Sequence, residues 1–310
     1  MEQKVVVVMG GPSSEAEVSR RTGAAVLEAL ASKGINAEGL EFEPVNFVEQ
    51  IKSSGADLVF NAIHGSYGED GRIQAVLELL GIPYTGSGVL ASAVTMDKNA
   101  AKRFMLGEGV PTPRAHMYRA IDRSRNLTAE ILEEFSLPVV VKAAAQGSSI
   151  GVVIVEKAEA LDDAIEEAFS YGDDILVEEF ISGKEITVAV LGDDTEQTIL
   201  PIIEITTASG RYDYESKYTK GASEHIIPAR ISGDAAKKAE AAAIACFRAC
   251  GCRGVARFDM MISEDGNPYV IDINTVPGMT ATSLVPDAAR VMGMSFADLC
   301  EKLVMMALKK

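Results

Sequence analysis

The sequence predicts an open α/β domain with a parallel sheet at the N-terminus, followed by two α+β sections. The first observation is an apolar run at Lys4–Met9, a glycine-rich turn and a helical pattern over Glu15–Lys33, which are typical of a β-α unit. The second is an Asp265-Gly266 pair between two segments that alternate polar with apolar residues. Such a pair indicates a hairpin of antiparallel strands in the C-terminal section.

Further elements are predicted in chain order. Leu58–Ile63 and Tyr84 are expected to add strands to the first sheet, and Asp70–Leu80 is expected to be a helix. After a boundary near Thr95, the pattern predicts a helix over Lys98–Glu108, strands over Val139–Lys142, Gly151–Val155, Glu185–Leu191 and Thr198–Glu204, and helices over Asp234–Cys250 and beyond Ser295. We therefore divide the chain into residues 1–95, a small lid-like section at 96–180 and a C-terminal section at 181–310.

Composition and charge restrict the class of protein. The chain has 310 residues, 47% of them hydrophobic, which allows two or three domains with a sizeable core. Its formal net charge of −16 argues against a general nucleic-acid or anionic-membrane surface, so local basic groups would have to hold any phosphate. No apolar run approaches membrane-spanning length and the N-terminal residues lack the charge pattern of a signal peptide, so we expect a cytoplasmic protein.

The cysteines and histidines offer little for a metal or nucleophile site. Cys246, Cys250 and Cys252 lie in an alanine-rich helical segment without the usual zinc-ligand spacing, so reduced, buried thiols are expected. The three histidines are not at metal-ligand spacing, and no nucleophile-elbow motif supports acyl-serine chemistry. The chemistry is therefore expected in carboxylates, basic groups and glycine-rich loops.

The strongest candidate site lies on the predicted hairpin. Because side chains alternate along a strand, Arg257 shares a face with Asp259, and Asp272 shares a face with Asn274. The apolar residues of these segments are expected to point into a core, namely Phe258, Met260, Ile271 and Ile273. Carboxylate and amide oxygens suit Mg2+ held jointly with nucleotide phosphates, and an adjacent arginine suits a developing anion. The alternative is a solvated sheet face, because half-exposed strands alternate in the same way.

Two glycine-rich loops are candidates for phosphate binding. Gly10–Glu15 lacks both the Walker A and the dinucleotide spacing, but it places Glu15 at a helix N-terminus, where the dipole favours a negative side chain. That carboxylate could equally be a plain helix-start residue. Ala143–Gly151 follows a strand that ends at Lys142, so its backbone amides could close over phosphates while the lysine neutralises their charge. A flexible solvent loop is the competing interpretation.

A third cluster, His64–Gly71, follows the predicted strand Leu58–Ile63. Residues outside the carboxyl ends of strands line the ligand crevice of an open α/β sheet, so His64 and Glu69 are site candidates. The polar aromatic stretch Tyr212–Tyr218 could form a lid over a substrate or a plain surface turn.

Six separated motifs occur in order along nearly the whole chain. They are Gly10-Gly11-x-Ser13-x-Glu15-x-x-Val18-Ser19, His64-Gly65-x-x-Gly68-Glu69-Asp70-Gly71-x-x-Gln74, Met96-Asp97-Lys98, Gly147-Ser148-Ser149-x-Gly151-Val152, Lys217-Tyr218, and Asn274-Thr275-x-Pro277-Gly278-Met279-Thr280. In this combination the chain resembles the D-alanine–D-alanine ligases of the ATP-grasp superfamily. Six motifs in register make coincidence implausible, which raises the weak single-motif interpretations above their alternatives.

The resemblance implies a first α/β domain followed by an ATP-grasp fold of two α+β subdomains. It also implies an enzyme that joins two D-alanines with ATP and Mg2+, or Mn2+ in its place, for peptidoglycan synthesis. The carboxylate of the first D-alanine would attack the γ-phosphate to give an acyl phosphate, and the amine of the second would displace phosphate through a tetrahedral intermediate. Such a reaction depends on positioning and charge stabilisation more than on a covalent nucleophile. The family also suggests a homodimer.

The resemblance assigns nucleotide and metal roles to matching positions. ATP phosphates would be held by Lys98, Lys142 and the loop residue Ser149. Adenine and ribose would lie against Glu178, Phe180, Ile181 and Glu185. Mg2+ would be bound by Asp259, Asp272 and Asn274.

The resemblance also assigns substrate and catalytic roles. Glu15 would hold the ammonium of the first D-alanine, and Ser283 with Leu284 would receive the carboxylate of the second. Arg257 and the Gly278 N–H would stabilise the oxyanion. Two further substrate-site residues would be His64 and Lys217, and a hydrogen-bonded group between the first domain and the lid would consist of Glu15, Ser148 and Tyr218.

Two departures from the family pattern keep alternatives open. Asp272 stands where the family usually has Glu, so its carboxylate reaches one methylene less far, and Ala143 stands where the family usually has Pro. One alternative is another ATP-grasp carboxylate–amine ligase, or one that takes D-lactate, although Tyr218 at its position accompanies dipeptide synthesis. The other is a nucleotide-binding regulatory protein that has lost turnover, against which the retained Lys142 and Arg257 weigh.

Overall fold

The structure, a computed structural model, describes residues 3–147, 150–207, 222–280 and 282–309. Its described strands form three sheets, and each sheet comes from one stretch of the chain. A parallel sheet followed by two antiparallel sheets confirms the predicted fold class. The domain boundaries near residues 95 and 180 remain a prediction.

The first sheet is parallel, with strand order β2-β1-β3. Its strands and neighbouring helices are β1 (Val5–Met9), β2 (Ala37–Glu41), β3 (Leu58–Asn61), α1 (Ala16–Ser32), α2 (Phe47–Ser54), α3 (Arg72–Leu80) and α4 (Val89–Met96). β1 is the central strand, so Val5, Val6, Val7 and Val8 are fully buried and the run needs no polar alternation. Tyr84 forms only an isolated parallel bridge with Val59, where the sequence predicts a strand.

The second sheet is antiparallel, with strand order β4-β7-β5-β6. Its strands and helices are β4 (Ala115–Arg119), β5 (Val139–Ala143), β6 (Val152–Val155), β7 (Asp174–Glu179), the preceding α5 (Lys98–Gly107), α6 (Leu127–Glu134) and α7 (Leu161–Phe169). α6 and α7 pack on the face that carries Val141 and Val177. Because side chains alternate along strands, Lys142 and Glu178 project from the opposite face.

The third sheet contains the predicted hairpin and has the strand order β11-β10-β8-β12-β13, with β9 paired to β8. Its strands and helices are β8 (Gly183–Gly192), β9 (Gln197–Ile199), β10 (Ile203–Thr207), β11 (Ser223–Ile226), β12 (Gly254–Ser263), β13 (Pro268–Asn274), α8 (Gly233–Ala249), α9 (Leu284–Val291) and α10 (Phe296–Ala307). The prediction of one strand over Thr198–Glu204 is wrong, because β9 and β10 are separate strands with Pro201 between them. Proline has no N–H to donate to a sheet ladder.

The register of β12 and β13 places the predicted polar residues on one face. Arg257 pairs with Asn274, and Asp259 pairs with Asp272. Residues that pair directly across two strands share a face, so this part of the prediction is confirmed.

A β-bulge interrupts the same hairpin. After the pair formed by Asp259, the next residue of β12, Met260, pairs with Val270, which leaves Ile271 unpaired. Ile271 is half-buried, whereas Phe258 and Ile273 lie in the core. The prediction that Ile271 points into the core is therefore wrong, because the bulge interrupts the alternation.

One apolar cluster joins the first sheet to the C-terminal part of the chain. It combines residues of β1 and β3 such as Val7 and Phe60 with β8 residue Leu191 and α10 residue Leu299. All four cysteines are buried free thiols, as predicted. Within the described ranges, no helix has both the length and the apolar character needed to cross a bilayer.

Gly254, at the start of β12, offers a test of the packing between the first and third sheets. It has φ +72°, and a Cβ there would lie 2.9 Å from the backbone of Gly86. Gly251 has a similar φ of +66° but no atom within 4 Å of such a Cβ. Gly251→Ala should therefore cost only the left-handed backbone penalty, about 1–2 kcal/mol.

Gly254→Ala should cost more, about 2–5 kcal/mol, because backbone shifts are added to the same penalty. Thermal unfolding of both variants, followed by circular dichroism, measures the difference. Equal melting temperatures for the two variants would contradict close packing at Gly86.

Candidate active site

The polar face of the hairpin is built around one arginine–aspartate pair. Arg257 donates from Nε to Asp259 Oδ1 at 2.8 Å and from Nη2 to Oδ2 at 2.7 Å. Thr187, which lies opposite on β8, donates its hydroxyl to Asp259 Oδ1 at 2.7 Å. Bidentate geometry holds the guanidinium plane in one orientation, so the arginine is fixed before any ligand arrives.

Asp272 and Asn274 flank this pair on β13. Asp272 Oδ1 lies 3.7 Å from Nζ of Lys98, which begins α5 and donates to the Gln146 carbonyl at 2.5 Å. Asn274 Oδ1 accepts from the Val276 N–H at 3.0 Å and so shapes the loop that follows β13. A predicted phosphate lysine therefore lies beside a predicted metal ligand.

These oxygens fit a divalent ion that is shared with a ligand. Asp259 and Asp272 are cross-strand partners, and hard carboxylate oxygens suit Mg2+. The described residues contain no group of three His, Cys, Asp or Glu side chains that could hold a metal alone. Mg2+ commonly takes one or two carboxylates and completes its shell with waters and substrate phosphates.

A buried charge network lies beside the hairpin. Glu178, with 2% of its surface exposed, is 2.6 Å from Lys142 Nζ through Oε2 and 2.9 Å from Lys102 Nζ through Oε1. Burial raises the pKa of the Glu178 carboxyl, but the two ammonium groups outweigh it, so the pKa lies below its usual value. Lys142 also donates to the carbonyl of the bulged Ile271 at 3.2 Å, which links the second sheet to the third.

Glu15 sits at the junction of two loops. A Cβ on Gly65 would lie 2.7 Å from Glu15 Oε2, and one on Gly147 would lie 2.9 Å from the same atom. Both loops can therefore approach the carboxylate this closely because glycine has no side chain at these positions. Glu15 stands at the N-cap of α1, at the helix start as predicted, and makes no side-chain capping bond there.

His64 connects the first sheet to the loop after β13. Its Nδ1 lies 2.9 Å from the Val276 carbonyl, and its Nε2 lies 2.9 Å from Thr22 Oγ1. A carbonyl only accepts, so Nδ1 carries the hydrogen and, in the neutral ring, Nε2 accepts from the threonine. Glu69 Oε1 is 3.6 Å from Nδ1 and accepts from the Gly65 N–H at 3.1 Å.

Ser283 and Leu284 lie at the start of α9, as the N-cap and first helical residue. The Ser283 hydroxyl accepts from the Thr280 N–H at 3.1 Å and lies 3.1 Å from where a Cβ on Gly278 would be. Helix N-termini present backbone N–H groups and a positive dipole end, which suit a carboxylate. The predicted oxyanion donor and the predicted carboxylate site are thus neighbours.

The remaining predicted residues fall into two groups. Phe180 and Ile181 follow β7 and Glu185 lies on β8, and none of the three is fully buried. Four other predicted residues lie outside the described residues, namely Ser148, Ser149, Lys217 and Tyr218.

Comparison with known proteins identifies the family. The model for "D-ala D-ala ligase C-terminus" matches residues 105–305, and that for "D-ala D-ala ligase N-terminus" matches residues 36–87. A D-alanine–D-alanine ligase of Pelotomaculum thermopropionicum is 49% identical, with 100% of this chain and 98% of the relative covered. The chain belongs to the D-alanine–D-alanine ligase family.

Solved structures of family members have the same fold. A D-alanine–D-alanine ligase from Bacillus anthracis complexed with ATP matches with a TM-score of 0.85 and 32% identity over 99% of this chain and 98% of the other. A D-Ala:D-Ser ligase from Enterococcus faecalis matches with a TM-score of 0.84 and 31% identity over 99% of this chain and 100% of the other. The protein is accordingly a ligase with an ATP-grasp fold.

Two residues of this ligase site escaped sequence reasoning. Lys102 follows Lys98 by one helical turn on α5, and an i, i+4 pair lies on one helix face. Thr187 lies on β8 in the same cross-strand row as Asp259. The first could have been found from the helical spacing, but the second depends on a strand pairing that the sequence does not reveal.

Glu69 should make the stability of the enzyme depend on pH. Burial raises the pKa of its carboxyl, Glu15 adds to the shift and His64 opposes it. A raised pKa means that the folded state binds the proton more tightly, so stability present below the ordinary pKa of about 4.3 is lost as pH rises through the folded pKa. The Glu69→Gln variant has no carboxyl at this position, so it does not lose stability in this way. The melting temperature of Glu69→Gln minus that of the native protein should therefore rise between pH 4 and pH 7.

The matched control is Glu28→Gln, on the exposed surface in the middle of α1, whose melting temperature relative to the native protein should not change with pH. If the melting temperature of Glu69→Gln relative to the native protein is the same at both pH values, Glu69 is not protonated preferentially in the folded state.

Proposed function

We propose that the protein uses ATP to join two D-alanines into D-alanyl-D-alanine through an acyl phosphate, the step that supplies this dipeptide for peptidoglycan. The observation that carries the proposal is the fixed Arg257–Asp259 pair facing Asp272, with Lys98 3.7 Å from the latter. This places anion-binding groups and hard oxygen ligands at one point, which is what phosphoryl transfer requires.

In the first step, the carboxylate of the first D-alanine attacks the γ-phosphorus of ATP and ADP leaves. Lys98 and Lys142 hold the phosphates, and Glu15 holds the ammonium of this D-alanine. These contacts position the reactants, and positioning alone can supply several kcal/mol of the barrier, about 7–11 at best. Adenine and ribose lie against Glu178, Phe180, Ile181 and Glu185.

In the second step, the amine of the second D-alanine attacks the acyl carbon, and inorganic phosphate leaves from the tetrahedral intermediate. The guanidinium of Arg257 and the N–H of Gly278 stabilise the oxyanion. The N-terminus of α9, at Ser283 and Leu284, receives the carboxylate of this D-alanine. Fixed donors of this kind are worth about 3–4 kcal/mol each when they are aimed at developing charge.

His64 contributes indirectly in this proposal. Both of its ring nitrogens contact protein groups, the Thr22 hydroxyl and the Val276 carbonyl. We therefore assign it the task of holding the 275–278 loop, and with it the Gly278 N–H, against the first domain. This role replaces the predicted place of His64 in the substrate site.

Mg2+ is the metal that we propose for Asp259, Asp272 and Asn274, with Mn2+ able to replace it. Bound there with the nucleotide, it would neutralise phosphate charge during transfer. The resemblance alone supports the parts assigned to Ser148, Ser149, Lys217 and Tyr218, as groups that close over the nucleotide and the second substrate. It likewise supports a homodimer that works in the cytoplasm, where ATP is available.

The direct test is product formation with purified protein, ATP and Mg2+. D-Alanine should release ADP and give D-alanyl-D-alanine by mass, whereas L-alanine should be nearly inert. Because one similar solved structure is a D-Ala:D-Ser ligase, D-serine and D-lactate are offered together with D-alanine. We expect the dipeptide of D-alanine to dominate at pH 7. ATP binding without any ligation product would instead favour a regulatory protein.

Asp272 tests the metal assignment. Asp272→Asn keeps the size of the side chain and its place on β13 but removes an anionic oxygen that a hard ion needs. We expect turnover to fall at least tenfold and the Mg2+ concentration for half-maximal rate to rise. Asp265→Asn, a similar change in the exposed hairpin turn, is the control and should alter neither. An unchanged Mg2+ dependence in Asp272→Asn would remove this residue from the metal site.

A further inference from the structure

Lys102 is a buried lysine with three acceptors. Its Nζ donates to Thr112 Oγ1 at 2.6 Å, to the Pro113 carbonyl at 2.8 Å and to Glu178 Oε1 at 2.9 Å. The threonine hydroxyl itself donates to the Val270 carbonyl at 2.8 Å, so it can only accept from the lysine. Three acceptors require three N–H bonds, which only the charged ammonium has.

The charges of this network determine what Lys142 can do. Glu178 gives one oxygen to each lysine, so two positive charges share one negative charge and the group keeps a net charge of +1. Without Lys102, the second oxygen of Glu178 would lose its ammonium partner and would be free to pair with Lys142, which already lies 2.6 Å from the first oxygen. Lys142 also donates to the Ile271 carbonyl, so a second bond to the carboxylate would leave it no N–H bond for a phosphate.

The geometry leaves room for a ligand on Lys142. Among the described residues, its contacts are Glu178 and the Ile271 carbonyl, which use two of its three N–H bonds. Lys102, by contrast, uses all three on protein groups. The two lysines are equally buried, each 6% exposed, so they differ in their partners: only Lys142 keeps an N–H bond for a ligand.

We propose that Lys102 is a positioning residue for the nucleotide: it holds one carboxylate oxygen of Glu178 and thereby leaves one N–H bond of Lys142 available for the phosphates of ATP. The proposal rests on the ATP binding proposed above. Lys102 never touches the nucleotide, so its effect travels through Glu178 and should disappear when Glu178 is neutral.

The test is a double-mutant cycle on ATP affinity, measured by calorimetry with Mg2+ and without D-alanine. Lys102→Met should weaken ATP binding about tenfold, which corresponds to 1.4 kcal/mol. In a Glu178→Gln background, where no carboxylate can compete for the N–H bonds of Lys142, the same Lys102→Met change should alter the dissociation constant by less than about twofold. The KM for D-alanine should stay the same in Lys102→Met.

Two controls separate charge from structure. Thr112→Val breaks the contact of Lys102 with the Thr112 hydroxyl, in the segment between α5 and β4, but keeps every charge. It should therefore leave ATP affinity nearly unchanged. Lys238→Met removes an exposed lysine on α8 and controls for the change in net charge. If Lys102→Met does not fold, Lys102→Gln repeats the cycle with a neutral side chain that can still bond to Thr112.

An equal loss of ATP affinity from Lys102→Met in both backgrounds would overturn the proposal in favour of a structural role. No loss in either background would remove Lys102 from nucleotide binding altogether. Failure of the native protein to bind ATP would count against the proposed function itself, so the two failures are distinguishable.

Discussion

The pairing of β12 with β8 on one side and β13 on the other is the constraint on which the site depends. It aligns Thr187, Asp259 and Asp272 in one row across three strands. The residues of the next row, Val188, Phe258 and Ile273, are buried on the opposite face. Because strand side chains alternate, a slip by one residue would bury the charges and expose Phe258. Burial of the apolar face therefore fixes the register that keeps the polar side chains together on the other face.

Buried charge is compensated locally in a chain of strongly negative net charge. Arg257 is matched by Asp259, and Glu178 is matched by two lysines, so neither group is left unpaired away from water. The excess positive charge of the Glu178 network lies where Lys142 of the second sheet contacts Ile271 of the third. An acidic protein can hold an anion such as ATP in this way, because short-range contacts outweigh distant repulsion that salt screens.

The sequence predicted the elements whose patterns are local. β1, α1, α8 and the hairpin turn have apolar runs, helical spacing or an Asp-Gly pair, and all appear as predicted. β2 was not predicted, because its residues Ala37–Glu41 are largely exposed and lack an apolar pattern. The short helix α9 was not predicted either, since a helix of just over two turns with Pro286 in it resembles a loop.

Site residues also divide into those that a local pattern predicts and those that depend on a distant part of the chain. Arg257, Asp259, Asp272 and Asn274 could be grouped from strand alternation, because their spacing of two residues fixes a common face. The bulge at Ile271 could not be foreseen, since a bulge depends on the partner strand as much as on the residue itself. It matters for the site, because the carbonyl that it frees from the regular ladder accepts the bond from Lys142.

Sequence motifs indicate which residues matter better than they indicate how the parts of the molecule join. The side chains of His64, Lys98, Lys142 and Thr112 each reach a backbone carbonyl in a distant part of the chain. The donors are specific residue types, so a sequence displays them. Every residue has a carbonyl, however, and nothing in the sequence marks the four that are used. The junction between the three sheets therefore depends both on the donor side chains, which the sequence shows, and on the positions of the acceptor carbonyls, which only the structure shows.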